Sequence, residues 1–288
     1  MLYIVFSVVC SVIVSVILKL LPQYRIDVRQ AIAGNYLVAS VLAVFLLQSR
    51  PTLLTQFSFD AAWQILLALA VLLPSIFLVM AKSVNTVGII RTDVAQRLSL
   101  IIPLIAAFTL FGELLTWQKG AGLLLGLMAI LAIVQKPDNS KTNASYWRWP
   151  ALVFVGLGLI DVLFKRLAQL SHVAFSDVLL ATFILAFIVL VIYNISRYAQ
   201  KKAHWQWRNI TAALLIGVFN FGNIVFYIKA HQQLHSSPAL VFATMNIGVI
   251  VLASVLGVWL FKERLSKQNY AGLLLAVIAI AILASARA

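Results

Sequence analysis

The sequence alternates long apolar runs with short polar connections. Ten runs come close to or exceed the roughly 20 mostly apolar residues that a helix needs to cross a bilayer core. The first run lacks a basic leading segment and a small-residue cleavage site, so we expect a retained helix and not a signal peptide. The pattern predicts an all-α membrane protein with ten transmembrane helices. The predicted spans cover residues 2–22, 30–48, 61–81, 86–111, 118–135, 150–170, 175–195, 209–230, 236–260 and 268–286.

The composition excludes a soluble protein. Hydrophobic residues make up 63% of the 288 residues and charged residues only 10%, which is too little charge for a soluble surface. The net charge of +14 would suggest nucleic-acid binding in a soluble protein, but the basic residues lie mostly in short loops, where membrane topology explains them. The single cysteine, Cys10, permits no intrachain disulfide and no cysteine-based metal site.

The two halves of the chain resemble each other. Fifteen residues from Phe111 coincide at nine positions with fifteen residues from Phe261, and the matches include Glu, Gln and Gly, which apolar bias does not explain. A weaker match pairs residues 15–19 with residues 161–165. We therefore predict two homologous five-helix repeats, and because five is odd the second must be inserted upside down relative to the first. The predicted repeats cover residues 1–135 and 150–288, and the connecting loop covers 136–149.

The basic residues of the loops are unevenly distributed. Odd-numbered loops hold thirteen Lys and Arg residues, whereas the even-numbered loops and the termini together hold four. Since basic residues accumulate in cytoplasmic loops, this bias predicts cytoplasmic odd-numbered loops and both termini on the outer side.

Both copies of the repeated segment resemble the drug/metabolite transporter superfamily of EamA-like type. Members carry a proline or small residue mid-helix, then a turn with a glutamate, then a glutamine and a glycine that open the next helix. The second half of this chain lacks the proline. The matching residues are Pro103, Glu113, Gln118 and Gly122 in the first half and Ala253, Glu263, Gln268 and Gly272 in the second.

This resemblance implies a ten-helix fold of two inverted five-helix repeats. It implies a central cavity lined by helices 1–4 and 6–9, with helices 5 and 10 packed at the periphery. It also implies transport of a small organic metabolite, often by export, without naming the substrate. Members of the family usually keep both termini in the cytoplasm, which is the reverse of the orientation that the loop charges predict.

A polar stretch at residues 91–97 interrupts the fourth predicted span. Asp93 and Arg97 are four residues apart and share a helix face, with Gln96 beside them. In a helix that starts near residue 86, Arg97 would lie about 16 Å along the axis, close to the midplane. A charge at that depth is costly, so we interpret the group as a gate or a proton-coupled site, with a self-neutralising ion pair as the alternative. For Arg91 we expect snorkelling to the interface.

Helix 6 repeats this spacing with Asp161 and Lys165. The repeat alignment pairs Lys165 with Lys19, and two cations at equivalent positions of one cavity would suit a carboxylate or a phosphate. Snorkelling near a helix end is the alternative, and it is stronger for Lys19 than for Lys165. Either Asp93 or Asp161 could carry a coupling proton.

Polar side chains on helices 2, 8 and 9 are further candidates for the substrate site. Each could hydrogen-bond to a substrate or to a neighbouring helix. Asn246 matches Gln96 at an offset of 150 residues, which favours a cavity position for both. The candidates are Tyr36 and Asn35 on helix 2, Asn220, Asn223 and Tyr227 on helix 8, and Asn246 on helix 9.

Two features of the repeated segment have a structural interpretation. Gly122 and Gly126 are four residues apart, and together with their counterparts in the second repeat they favour close packing of helices 5 and 10. Glu113 and Glu263 lie at helix–helix turns, where we expect them to cap a helix or pair at an interface.

No grouping in the sequence points to catalysis. The four histidines lie in or near loops, and the pair His231 and His235 has no carboxylate near it in sequence for a metal site. There is no Ser/His/Asp grouping and no glycine loop of the kind that binds phosphate. We therefore predict that the protein is not an enzyme and uses no metal or other cofactor.

Mixed charges within the spans favour a polar substrate. We predict a secondary active transporter, proton-coupled or working by exchange, that moves a small zwitterionic or anionic metabolite such as an amino acid by alternating access. Export of cationic drugs or quaternary amines is the alternative within transport, and a membrane-embedded enzyme or lipid-handling protein is the alternative from another class. The expected partners are the substrate and the lipid bilayer, with a homodimer left open and no nucleic acid. We expect a multi-pass location in a bacterial inner (plasma) membrane.

Overall fold

The computed structural model describes residues 1–50, 61–87, 89–134, 148–170, 174–200, 206–261 and 266–285. The regular structure of these residues is eleven α-helices and one short 3-10 helix at Leu21–Tyr24. The α-helices are α1 (Leu2–Leu20), α2 (Val28–Leu47), α3 (Ala61–Val87), α4 (Ile89–Leu98), α5 (Ile101–Thr109), α6 (Trp117–Val134), α7 (Arg148–Ala168), α8 (Phe175–Ala199), α9 (Trp207–Gln233), α10 (Pro238–Phe261) and α11 (Lys267–Ser285).

Apolar helices of membrane-spanning length dominate this fold. Six of the described helices, α2, α3, α8, α9, α10 and α11, contain a span long and apolar enough to cross a membrane. Shorter apolar segments lie in α1, in α6 and across residues 95–109. The all-α membrane class predicted from the hydrophobic pattern is confirmed. One boundary is wrong: the third predicted span ends at residue 81, but α3 continues to Val87, so Lys82 lies in a helix and not in a loop.

The single helix predicted for residues 86–111 is also wrong, because the chain forms α4 and α5 with a turn at Ser99 and Leu100. Pro103 explains the break: it has no N–H to donate to the Ser99 carbonyl, and its ring would clash with that carbonyl in a continuous helix. The Ser99 carbonyl instead accepts from Ile102 N at 3.1 Å. Arg97 therefore lies in the last turn of α4, and the depth expected for a continuous helix does not apply.

The described contacts divide the chain into two compact units. Unit 1 contains Met1–Val9, Ile76–Val162 and Ala230–Ala288, and unit 2 contains Cys10–Ser75 and Leu163–Lys229. Each unit therefore draws residues from both halves of the sequence.

Within unit 1, α6 and α11 pack closely and run antiparallel. Gly122, near the start of α6, is so close to the end of α11 that a Cβ on it would lie 2.8 Å from Leu283 Cγ. At the opposite end, Asn269 Nδ2 in the first turn of α11 donates to the Ala132 carbonyl at 3.3 Å. A Cβ on Gly126 would lie 3.8 Å from Ala279 Cβ of α11 and 2.6 Å from Ile247 Cδ1 of α10. The close packing predicted for these helices is confirmed.

Within unit 2, α2 and α8 also run antiparallel, joined at both ends by polar contacts. Asp27 caps α2, and its Oδ2 accepts from Arg197 Nη1 at 2.9 Å near the end of α8. At the other end, Arg50 N donates to Asp177 Oδ1, in the first turn of α8, at 2.8 Å. The start of α2 and the end of α8 therefore lie at one end of unit 2.

Two glycines bring α2 and α9 together in unit 2. A Cβ on Gly34 of α2 would lie 2.5 Å from Ala213 Cβ, and a Cβ on Gly217 of α9 would lie 2.5 Å from Val38 Cβ. Real Cβ atoms do not approach so closely, so only glycine, which has no Cβ, fits at each of these two positions.

Gly34→Ala should lower thermal stability, because Ala213 has no flexible atom that could move aside and the two helix backbones must separate. We expect a loss of about 1–3 kcal/mol, measured as a lower Tm of the detergent-solubilised protein. Gly120→Ala is the control, since its Cβ would lie 3.8 Å from Leu115 Cδ1. Its Tm should be unchanged or higher, as alanine favours a helix over glycine. A wild-type Tm for Gly34→Ala would contradict the close contact.

Candidate functional site

A hydrogen bond between two asparagines joins α2 and α9 in the interior of unit 2. Asn220 Nδ2 donates to Asn35 Oδ1 at 3.1 Å. Asn35 is fully buried, and its Nδ2 has no hydrogen-bond partner in the part of the chain that the structure describes. A buried amide donor without an acceptor costs on the order of 1–3 kcal/mol. The Asn35 Nδ2 group is therefore a candidate contact for a bound acceptor such as a carboxylate.

Aromatic rings lie next to both asparagines in sequence and contact one another. Tyr36 is 1% exposed, and its ring centroid lies 6.2 Å from that of Phe183 on α8. The Phe183 centroid lies 6.5 Å from that of Phe221 on α9. These rings supply rigid apolar area and exclude water, which strengthens any polar contact made beside them.

Lys165, in the last turn of α7, is 0% exposed. The next residue, Arg166, is exposed, so the two neighbouring cations have opposite environments. The ring of Phe164 meets that of Tyr227 on α9 edge-to-face at 6.3 Å, and both residues are 5% exposed. A snorkelling lysine keeps its ammonium group in water, so the complete burial of Lys165 favours an interior role.

Unit 1 contains the polar stretch of α4. Ser83 on α3 and Thr92 on α4 are both buried, and their hydroxyl oxygens lie 2.7 Å apart in a hydrogen bond. Gln96 and Arg97 are half-buried in the last turn. On α10, Asn246 Nδ2 donates to the Phe242 carbonyl of its own helix at 3.0 Å.

The structure distributes the predicted site residues over both units. The side chains of Asp93, Lys19 and Arg91 lie outside the described residues, while Asp161 and Asn223 are half-buried. Unit 2 holds Lys19, Tyr36, Lys165, Asn220, Asn223 and Tyr227, and unit 1 holds Asp93, Gln96, Arg97, Asp161 and Asn246.

Sequence reasoning missed the two phenylalanines, although the repeat could have revealed one of them. The starts of α2 and α8 are 147 residues apart, 175 − 28 = 147. Phe183 stands at the same offset from Tyr36, since 183 − 36 = 147. Tyr36 and Phe183 therefore stand equally far from the starts of α2 and α8, and their rings contact each other.

Glu113 joins the turn after α5 to the start of α10. Glu113 Oε2 accepts from Ala239 N at 2.7 Å, and Glu113 Oε1 lies 3.0 Å from Lys119 Nζ. A carboxylate at a helix N-terminus satisfies a free N–H and interacts favourably with the helix dipole. The expected capping and pairing role is confirmed for Glu113, while Glu263 lies outside the described residues.

The described residues contain no group of three or more His, Cys, Asp or Glu side chains that could hold a metal ion. The polar groups described above are amides, hydroxyls and charged side chains on or beside membrane helices, and amides and hydroxyls can donate and accept hydrogen bonds.

The fold and the sequence both match known proteins. A solved crystal structure of a protein matches with a TM-score of 0.70 over 98% of this chain and 96% of that one, at 16% identity, which supports the fold alone. An uncharacterized protein of Haemophilus influenzae is 41% identical over 281 residues, or 96% of this chain and 95% of the relative. Residues 145–285 match the EamA-like transporter family.

The chain belongs to the EamA-like transporter family. As an EamA-like transporter it is a multi-pass membrane protein with a small-molecule substrate, and its family is one of transporters and not of enzymes. The resemblance inferred from the repeated segment is therefore confirmed. The family's ten transmembrane helices agree with the described helices when α4 and α5 are taken as one interrupted span.

In this EamA-like transporter, neutralising one member of the Glu113–Lys119 pair should destabilise the fold more than neutralising both. Glu113→Gln leaves the Lys119 ammonium buried without its counter-charge, and Lys119→Met does the same to the carboxylate; each should cost about 3–5 kcal/mol. The double variant should recover part of the loss, read as Tm in detergent. If the loss of stability in the double variant equalled the sum of the two single losses, the two charges would not interact.

Proposed function

We propose that this EamA-like transporter is a secondary active transporter for a small zwitterionic or anionic metabolite, such as an amino acid. The observation that carries the proposal is the complete burial of Lys165 on α7. A buried ammonium group repels a cationic substrate and attracts a carboxylate or phosphate, because charges interact strongly where water is excluded. The burial therefore favours an anionic or zwitterionic substrate over the cationic drugs that are the alternative.

The asparagines of unit 2 support the same substrate class. The Asn35 Nδ2 donor and the half-buried Asn223 can hydrogen-bond to carboxylate oxygens, which accept several hydrogen bonds at once. We assign Tyr36, Asn220 and Tyr227 to positioning the substrate from α2 and α9. Lys19, which the repeat alignment pairs with Lys165, would supply a second cation.

The helix boundaries support two repeats at residues 1–135 and 150–288. α3 and α9 are each 27 residues long and are offset by 146 residues at both ends, since 207 − 61 = 146 and 233 − 87 = 146. α6 and α11 start 150 residues apart, since 267 − 117 = 150. The equivalent pairs α2–α8 and α6–α11 each run antiparallel, as inverted repeats require. Inverted repeats are the usual basis of alternating access, which we propose here.

We further propose that Asp161 carries a coupling proton and that Asp93, Gln96, Arg97 and Asn246 act in gating. Asp161 is half-buried in α7, and ionisable residues inside membrane helices commonly belong to ion or proton pathways. The bacterial relative supports an inner-membrane location.

Lys165→Met should abolish uptake of the substrate, because the substrate carboxylate would lose its counter-charge. The measurement is uptake into proteoliposomes from a panel of radiolabelled amino acids and other small carboxylates. We expect a loss of at least about tenfold, while Arg166→Gln, the exposed neighbour, retains wild-type flux. Equal flux in both variants would contradict the role of Lys165. Lipid turnover without flux of any polar metabolite would overturn the transporter proposal.

Asp161→Asn should remove the dependence of uptake on a pH gradient while leaving exchange of labelled for unlabelled substrate intact, since exchange moves no net proton. Both fluxes are measured in the same proteoliposomes with and without an imposed gradient. A variant that still responds to the gradient as the wild type does would exclude Asp161 as the proton carrier.

A further inference from the structure

A cavity of about 460 Å³ lies within unit 2, between α2, α8 and α9. Its size falls within the range of about 300–1,000 Å³ that is typical of small-molecule sites. Three of its lining residues are strongly exposed, namely Leu37 at 47%, Ile195 at 60% and Leu214 at 50%. All three helices contain membrane spans. The cavity is therefore open to the hydrocarbon of the bilayer and not only to the protein interior.

The cavity has a polar end and an apolar end. Its polar lining residues lie in the first turn of α2, the last turns of α8 and the first turn of α9; they are Gln30, Asn194, Tyr198 and Asn209. The apolar lining continues along α2 from Ala33 to Leu37, which extends about 10 Å from Gln30. The cavity wall is therefore mainly apolar, with its polar residues confined to the end near the helix termini, and an occupant that fills both parts is amphipathic.

Two polar atoms at this end have no hydrogen-bond partner within the described ranges. Asn194 is 6% exposed, and its Oδ1 atom and the Tyr198 hydroxyl are both buried and lack such a partner. Asn194 Nδ2 donates to the Leu190 carbonyl at 2.9 Å and to the Arg29 carbonyl at 3.5 Å, which fixes the position of Oδ1. Both residues line the cavity, so its polar end carries two polar groups without a hydrogen-bond partner in the described chain.

Each of the three helices places an arginine directly before a polar lining residue. Arg29 precedes Gln30, Arg197 precedes Tyr198 and Arg208 precedes Asn209, while Asp27 pairs with Arg197. This end of unit 2 therefore has net positive charge. Basic residues at the membrane interface attract anionic lipid headgroups.

We propose that this cavity binds one anionic phospholipid of the surrounding bilayer, of the phosphatidylglycerol type. One acyl chain lies between α2, α8 and α9, and the phosphate lies at the arginine-bearing end. The headgroup lies beside Asn194 and Tyr198. The site depends only on the membrane location of the protein and not on its transported substrate.

Native mass spectrometry of the detergent-solubilised protein, with phosphatidylglycerol or phosphatidylcholine of the same chain length added, tests the proposal. The wild type should retain one phosphatidylglycerol at least about tenfold better than phosphatidylcholine. Val191→Trp fills the cavity and should abolish this retention. Val189→Trp, an exposed position on the same helix outside the cavity lining, is the matched control and should retain the lipid.

Arginine variants test the headgroup separately, because they leave the cavity open. Arg29→Gln and Arg208→Gln should each weaken phosphatidylglycerol retention about fivefold, since one basic residue near an anionic surface contributes on the order of 1 kcal/mol. Retention of phosphatidylcholine should not change. Equal retention of both lipids by the wild type, or equal retention of phosphatidylglycerol by Val191→Trp and Val189→Trp, would overturn the proposal.

Discussion

Hydrocarbon supplies no hydrogen bonds, so a membrane helix must satisfy its polar groups within the protein. This constraint explains why the polar side chains described here come in pairs. Glu113 joins Lys119 and the start of α10, Asp27 joins Arg197, and Asn35 joins Asn220. Three of the polar groups described here are exceptions: Asn35 Nδ2, Asn194 Oδ1 and the Tyr198 hydroxyl have no hydrogen-bond partner in the described chain. The first belongs to the proposed substrate site and the other two to the proposed lipid site.

The pairs also link the two halves of the sequence. Asp27 and Arg197 connect equivalent helices of the two proposed repeats, and so do Arg50 and Asp177 at the opposite end. Glycines let the equivalent helices α6 and α11 approach closely, which van der Waals packing in a membrane requires. Contacts between equivalent, antiparallel helices therefore form the core of each unit.

Much of this fold follows from local rules. The length of the apolar runs predicts most of the spans. The break before α5 follows from Pro103, but it was not predicted because the residues around the proline are continuously apolar. The extension of α3 was not predictable, because the polar residues at its end, including Lys82, are typical of a loop. The contact between Tyr36 and Phe183 could be predicted only by aligning the starts of α2 and α8, which are the second helices of the two proposed repeats. The division of the candidate site residues between the two units depends on tertiary contacts. A pattern in a single sequence does not contain this information.

The proline at position 103 has a consequence for the transport cycle. A perfect inverted repeat would give inward-facing and outward-facing states of equal free energy, since exchanging the repeats converts one state into the other. Here Pro103 divides α4 from α5, whereas its counterpart Ala253 lies within the continuous helix α10. The first proposed repeat therefore has an interrupted helix where the second has a continuous one. Under the proposed alternating access, the two states are unequal in free energy, and the empty transporter has a preferred resting orientation.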